Sequence, residues 1–384
     1  MSDPYRFVMS TEIIYGLGAS GQIGSIAAAR GAKRAFVVSD QGVKQARLLE
    51  PIQNALQEQG IETALFDDVE QSSSVQSVNR GAEMVRTQGY DAIIAIGGGS
   101  AIDTAKAMGA VAANGGSCSD YAGINKIKLP PVPVIALPTT SGTSAEMTDV
   151  AVIADRAKHA RIGLRSPFVA PAIAIVDPLL TVSMPAHVTA STGMDALTHA
   201  VESYTNTATA EPTELMALEA IRIIGENLRG AVANGGNVQA RERMSMACVL
   251  AGIAFRNTRL GILHAITGPF CGYYEVPHGV ANAVILPHVM RFNMLGNLEK
   301  FAKVAQALGV KTENMSCREA ALSSIGAVRD LLSDVGLPET FRDMKLDQGL
   351  IPQIAAEAVK SGNLAVNPRK ATKEDLIAIC RNVL

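Results

Sequence analysis

Ala92-Ile93-Ile94-Ala95-Ile96-Gly97-Gly98-Gly99-Ser100-Ala101-Ile102-Asp103-Thr104-Ala105-Lys106 is the stretch on which the reading of this sequence turns. Its first five residues are wholly apolar, and an apolar run with no polar alternate is what a strand covered on both faces requires. Three glycines break the run and a helix-forming segment follows at once. A glycine turn between a strand and a helix lets backbone N–H groups approach a pyrophosphate closely, and the helix N-terminus favours the anion. Similar runs lie on either side: Ala35-Phe36-Val37-Val38-Ser39, Thr63-Ala64-Leu65-Phe66, Val134-Ile135-Ala136-Leu137 and Ala172-Ile173-Ala174-Ile175-Val176. Apolar-periodic segments at Val43 to Gln59 and Val75 to Gln88 separate them. Strands alternating with helices imply an α/β domain with a mostly parallel sheet.

After Asp177-Pro178 the strand signal stops, and from about Pro185 the chain reads as successive helices, Glu214 to Ala231 and Ala240 to Arg256 among them. We therefore expect residues 1–184 to form an α/β dinucleotide-binding domain and residues 185–384 an all-helical one. The 384 residues suit two domains at roughly 150 residues each. With 34 Lys+Arg against 36 Asp+Glu the net charge is −2, which argues against a nucleic-acid binder. A hydrophobic share of 48% with 18% charged excludes a disordered chain. No apolar run reaches the roughly 20 residues of a spanning helix, and the start lacks a basic and apolar leader, so neither a membrane anchor nor secretion is expected. Five scattered cysteines, Cys118, Cys248, Cys271, Cys317 and Cys380, form no C-x-x-C pair and read as reduced thiols of a cytoplasmic protein. The 14 methionines read as helical core filler.

A second glycine turn competes for the phosphates. Gly16-Leu17-Gly18-Ala19-Ser20-Gly21 matches G-x-G-x-x-G, with Asp40 following at the end of a strand. A lone match of this kind is weak, because small residues before a helix are as often a tight connection; the central triple glycine is the stronger site. A third turn, Pro138-Thr139-Thr140-Ser141-Gly142-Thr143-Ser144, follows another buried strand and offers hydroxyls beside a glycine. In a parallel sheet all three turns lie at one edge, where such sheets bind ligands. Asp40, if it accepts from ribose hydroxyls, favours NAD and repels the extra phosphate of NADP.

Three of the six histidines stand with one aspartate in a pattern of another kind. Asp195 and His199 are four apart and share a helix face; His264 ends Gly261-Ile262-Leu263-His264, and His278 is framed by Pro277 and Gly279. One carboxylate and three imidazoles suit Fe²⁺ or Zn²⁺ better than Mg²⁺ or Ca²⁺. From spacing alone such a pair is more often a surface or core accident, but charged groups among apolar neighbours need a partner. His159 reads as a solvated turn residue, His187 as a packing or capping residue near the domain boundary, and His288 as packing near the site.

These motifs, in this order, resemble the iron-containing (group III) alcohol dehydrogenase family from about residue 12 to the C-terminus. The matching pieces are Val38-Ser39-Asp40, Gly97 to Asp103, Pro138 to Thr143, Asp177-Pro178, Gly193-Met194-Asp195-Ala196-Leu197-Thr198-His199, Pro277-His278-Gly279 and Asn367-Pro368-Arg369 with the helical stretch after it. The resemblance implies an active site in the cleft between an N-terminal α/β and a C-terminal helical domain. It implies metal ligands Asp195, His199, His264 and His278, with Fe²⁺ or Zn²⁺ acting as a Lewis acid on the oxygen of a short alcohol or aldehyde. Gly97, Gly98, Gly99 and Ser100 would hold the pyrophosphate of NAD, Thr139 and Thr140 would lie along the cofactor with Asp103 and Thr143 in the same matched pieces, and Asp40 would select NAD. The turn at 16 to 21 then reverts to a plain connection. The family also implies a homodimer or larger assembly.

Two departures stand out. Relatives commonly carry a further histidine four residues after His264, where this chain has Gly268, so proton relay needs another group or water. The usual small residue two before Gly261 is Arg259. With Phe255 as a pocket aromatic, Arg259 and Arg256 are expected either to accept an anionic aldehyde or to serve an ion pair or subunit boundary. Competing readings are a metal-free reductase of the maleylacetate type, which Gly268 keeps open, a dehydroquinate-synthase-like lyase, and a nucleotide-binding module without catalysis.

Overall fold

The computed structural model describes residues 5–71, 73–156 and 160–384, so the reading of His159 falls outside the described residues. The chain forms two compact units, residues 9–184 and residues 185–384 together with residues 5–8. That first stretch departs from the expected 1–184 grouping. Its physical reason is a main-chain clasp: Val8 N–H donates to Asn257 Oδ1 at 2.7 Å, and the Asn257 and Arg256 side chains donate back to the Val8 carbonyl, both at 3.3 Å.

In the unit 9–184 the strands are β1 (Glu12–Tyr15), β2 (Arg34–Val38), β3 (Glu62–Phe66), β4 (Ala92–Gly97), β5 (Gly123–Ile124), β6 (Val134–Pro138), β7 (Val150–Asp155), β8 (Ala160–Arg165) and β9 (Ile173–Val176). Six of them make one sheet in the order β1-β9-β6-β4-β2-β3, with every pairing parallel. The helices are α1 (Ile23–Ala29), α2 (Gln41–Gln45), α3 (Leu49–Glu58), α4 (Val75–Gln88) and α5 (Gly99–Asn114). Side chains alternate across a strand, and the core obeys that rule. Phe36, Val38, Ile93 and Ala95 pack with Val78, Val85, Ile102 and Ala105 of α4 and α5. Ala35, Val37, Ile94 and Ile96 pack on the other face with Ile23, Ile52 and Leu56 of α1 and α3. Each large side chain buried in this way contributes roughly 1.5–3 kcal/mol.

Two local departures have clear causes. The apolar period from Val43 to Gln59 is two helices, broken where Arg47 takes φ 58°. A continuous helix would need the Pro51 nitrogen to donate to the Arg47 carbonyl, and proline has no N–H to give. A second sheet, β5-β8-β7 with β7 and β8 antiparallel, was not expected. Its β8 carries Gly163 between charged ends at Arg161 and Arg165, which weakens the strand signal, whereas Val150, Val152 and Ile153 give β7 a strand composition of its own.

Asp103 and Lys106 also differ from the simple picture of a phosphate-binding helix. Lys106 is buried, and its ammonium donates to Asp103 Oδ1 at 3.1 Å, the Ala145 carbonyl at 2.9 Å, Thr148 Oγ1 at 3.1 Å and the Val150 carbonyl. The other Asp103 oxygen accepts from Val152 N–H at 2.9 Å. Asp103, expected beside the cofactor, thus spends its carboxylate tying α5 to β7.

Glu146 is buried beside this pair. Burial pushes its carboxyl up to about 7 from 4.5, with Asp103 adding to the rise and a backbone hydrogen bond and Lys106 opposing it. The neutral acid is therefore favoured in the fold. Stability is fully present below the unfolded value and is lost as pH rises towards the folded one, by about 3 kcal/mol in total at 1.36 kcal/mol per unit. Glu146→Gln, which mimics the neutral form, is expected to match the parent in urea unfolding near pH 4.5 and to exceed it by about 3 kcal/mol at pH 8. Equal stability of parent and variant at both pH values would show that Glu146 is not held neutral.

The unit 185–384 is helical: α6 (Ala186–Thr205), α7 (Glu211–Ala233), α8 (Val238–Thr258), α9 (Ile262–Tyr274), α10 (His278–Asn293), α11 (Leu298–Ala307), α12 (Cys317–Asp334), α13 (Ile351–Ala358) and α14 (Lys373–Val383). One continuous apolar core runs through it, from Met194 and Leu197 on α6 to Ile379 and Val383 on α14. Among the described residues no single helix is long and apolar enough to cross a membrane.

Candidate functional site

The expected nucleotide residues gather at the C-terminal ends of three neighbouring strands. Registers Val38 with Ala95 and Gly97 with Pro138 bring the ends of β2, β4 and β6 level. The chain leaves β3, passes over β2 and re-enters as β4, so the crevice between the ends of β2 and β4 is a topological switch point, where open α/β sheets bind ligands. Asp40 caps α2, Oδ1 accepting from Val43 N–H at 3.0 Å. Its Oδ2 stands 3.2 Å from where a Cβ on Gly97 would be, and Gly97 holds φ 155°, a backbone state that side chains rarely adopt. Thr139 N–H donates to the Gly97 carbonyl at 3.0 Å. A Cβ on Gly98 would lie 3.3 Å from Thr140, and one on Gly99 only 2.8 Å from Thr143 Oγ1. The glycine turn and the threonine turn are thus packed against each other, with α5 opening between them. Ser100 Oγ donates to the Gln71 carbonyl at 2.6 Å, so its hydroxyl is engaged within the unit.

The other glycine turn is already filled by an anion of the chain's own. Asp177, at the end of β9, accepts from Gly18 N–H at 3.0 Å, Ser20 N–H at 3.1 Å and Ser20 Oγ at 2.6 Å. A buried carboxylate takes the amide donors that a phosphate would need.

The helical unit assembles the second group. Asp195 and His199 lie one turn apart on α6, His264 lies in the first turn of α9 and His278 is the first residue of α10. One ligand atom each from Asp195, His199 and His264 lies within 4.8 Å of the others. His199 stacks on His264 at 4.7 Å between centroids and on Phe255 of α8 at 4.5 Å, and His264 meets His278 at 5.5 Å. Burial alone would raise the Asp195 pKa, but His199, His278, His264 and the Asn282 amide outweigh it and hold the carboxyl below its usual value.

Two residues at this centre escaped the sequence reading. Asn282 on α10 is fully buried, and its Nδ2 lies 2.6 Å from Asp195 Oδ1, 3.2 Å from His264 Nε2 and 3.1 Å from His278 Nε2. One amide nitrogen, with two hydrogens to give, thus lies among a carboxylate oxygen and two imidazole nitrogens, while Asn282 Oδ1 is buried with no hydrogen-bond partner. A carboxylate gathered with imidazoles is the donor set of an Fe²⁺ or Zn²⁺ site, and the residues fit such an ion; His278, the fourth expected ligand, stands beside His264 but outside the group whose ligand atoms lie within 4.8 Å. Glu202 on α6 is the other, contacting His264 from behind at 2.6 Å. The signal was helical spacing: Glu202 is three residues after His199 and Asn282 four after His278, each on the ligand face.

Of the remaining expected residues, Phe255 reaches the group through His199. Gly268 has nothing within 4 Å of where a Cβ would stand. Arg259 is exposed, and its guanidinium donates to the Gly362 carbonyl at 3.3 Å, while Arg256 is turned to Val8. The Arg259 backbone, at φ 68° and ψ −176°, lies in a region kept almost entirely by glycine. His288 is half-buried on α10, its pKa lowered by burial and by Arg329.

Known proteins resemble the chain along nearly its whole length. Residues 10–178 match the family described as iron-containing alcohol dehydrogenase, and residues 189–384 match the C-terminal part of the Fe-containing alcohol dehydrogenase family. The chain is 40% identical over 379 residues to a 1,3-propanediol dehydrogenase of Klebsiella pneumoniae, covering 98% of each. It is 37% identical to an NAD-dependent methanol dehydrogenase of Bacillus methanolicus, covering 99% of this chain and 100% of that one. A crystal structure of 1,3-propanediol oxidoreductase superposes with a TM-score of 0.96 at 38% identity, over 99% of this chain and all of that one.

Proposed function

The chain belongs to the iron-containing alcohol dehydrogenase family, and from that premise we propose that it moves hydride between a short primary alcohol or its aldehyde and NAD, at a divalent metal held by Asp195, His199, His264 and His278. The observation that carries this reading is the convergence of Asp195, His199 and His264 ligand atoms within 4.8 Å in a buried centre. Named for 1,3-propanediol and methanol, the two relatives support a short primary alcohol as substrate.

When bound, the metal supplies Lewis-acid polarisation of the substrate oxygen and the nicotinamide supplies the hydride acceptor or donor. The rest falls to the chain's own residues. Asp195 brings the one negative charge of the ligand set, and its depressed pKa keeps that charge in place. Phe255, stacked on His199, fixes that ring and presents an apolar wall that excludes water from one side. No side chain fills the open space at Gly268 from that residue, so we assign the alcohol proton's exit to water there. In the other unit, Gly97 to Gly99 and the α5 N-terminus receive the pyrophosphate, and Asp40 accepts from the ribose.

The test is NADH consumption with short aldehydes by chelator-stripped protein, before and after Fe²⁺ or Zn²⁺ is added without oxygen. Activity appearing only with metal is expected; full activity in verified metal-free protein would overturn the reading in favour of a metal-free reductase.

Arg259 gives a second test that separates strain from specificity. Arg259→Gly is expected to gain about 1 kcal/mol in denaturant unfolding, since a side chain in this backbone state costs about 1–3 kcal/mol and glycine gives part of that back as unfolded-state freedom. If Arg259 also recognises an anionic aldehyde, kcat/KM for a charged aldehyde falls relative to a neutral one. An unchanged ratio assigns the residue no part in substrate choice.

A further inference from the structure

Glu202 is 3% exposed and sits one turn beyond His199 on α6. Its two carboxylate oxygens are divided between two donors. Oε1 accepts from Leu263 N–H at 2.8 Å, at the start of α9, and Oε2 lies 2.6 Å from His264 Nδ1. Glycine at 261 is what admits it, since a Cβ there would stand 2.6 Å from Oε1. An ionised carboxylate offers acceptors only, so the hydrogen in the Glu202–His264 contact belongs to Nδ1. Nε2 is then the bare nitrogen. His264 Nε2 lies on the other side of the ring, 3.2 Å from the Asn282 amide nitrogen.

We propose that Glu202 is a positioning residue that holds His264 in its Nδ1–H form, aims Nε2 into the centre formed with Asp195 and His199, and raises its basicity towards a divalent cation. This rests on the metal reading of that centre. A carboxylate behind a ligating imidazole fixes the ring's orientation and strengthens it as a ligand, and loss of such a partner weakens metal binding roughly 10–100-fold.

A plain helix cap would need only one of the two oxygens, and Glu202→Gln separates the roles. If the amide oxygen stays on Leu263 N–H, the amide NH₂ faces His264 Nδ1, which must then accept, and the hydrogen moves to Nε2. If the amide turns over, two donors face each other at Leu263. Either arrangement damages one partner.

The experiment uses the whole chain, stripped of metal. Zn²⁺ affinity is read by competition with a chromophoric chelator, and the His264 tautomer from imidazole ¹⁵N shifts in ¹⁵N-histidine protein, assigned by loss of that signal in His264→Gln. Expected are a parent that binds Zn²⁺ and shows a protonated Nδ1 with a bare Nε2, and a Glu202→Gln variant that binds roughly 10–100-fold more weakly. Zn²⁺ binding by the variant within twofold of the parent overturns the inference. A bare Nδ1 in the parent does so too, and that measurement needs no variant to fold. A parent that takes up no Zn²⁺ or Fe²⁺ at all brings down the metal reading itself, whatever the tautomer.

Discussion

Replacing Asp195 with asparagine lowers turnover by about a thousandfold or more and leaves the helical unit folded. The side chain is 1% exposed, so asparagine, of nearly the same shape, meets the same packing. What it removes is the carboxylate whose charge His199, His278 and His264 together favour. An amide oxygen is a poor ligand for Fe²⁺ or Zn²⁺, and three neutral imidazoles alone hold such an ion more weakly. Lewis-acid stabilisation of developing charge on oxygen is worth several kcal/mol, and each 1.36 kcal/mol is tenfold in rate. Metal content by elemental analysis, kcat/KM and circular dichroism are measured together. A variant that keeps its metal and stays within tenfold of the parent would remove Asp195 from the ligand set.

The second large effect concerns the nucleotide. Asp40→Ser is expected to raise kcat/KM with NADPH on the order of 100-fold and lower it with NADH about tenfold, a combined shift of about 4 kcal/mol at 1.36 kcal/mol per decade. Serine is chosen because Asp40 has two duties. Its Oδ1 caps α2 at Val43 N–H, and serine is among the good capping residues. Its Oδ2 stands beside the Gly97 turn, and in the proposed role its charge would repel a further phosphate. The substitution keeps the first duty and deletes the second. A preference ratio that moves less than tenfold would mean that Asp40 is only a cap.

Both residues were legible in the sequence, and the reason is local. Strand β4 announces itself because its apolar residues serve both faces of a parallel sheet, and the triple glycine marks its end. Asp195 and His199 announce themselves through helical spacing. What local sequence does not show is what a side chain does across the fold. Asp103 sits in the family's motif, and its oxygens meet Lys106 and Val152 N–H, a pairing that depends on where β7 packs. Glu202 and Asn282 are ordinary polar helix residues until α6, α9 and α10 meet. The turn at Gly16 to Gly21 shows the converse: the pattern is present, and only the position of Asp177 reveals that its amides are taken.

Every proposed metal ligand lies after residue 185, and every proposed nucleotide contact before 184. Lewis acid and electron currency are therefore encoded in separate stretches of chain. On the proposed assignment, a lineage could trade NAD for NADP through one side chain after β2 without disturbing its metal, or retune metal and substrate through three helices without relearning its nucleotide. That independence is a structural reason why one scaffold can serve many alcohols.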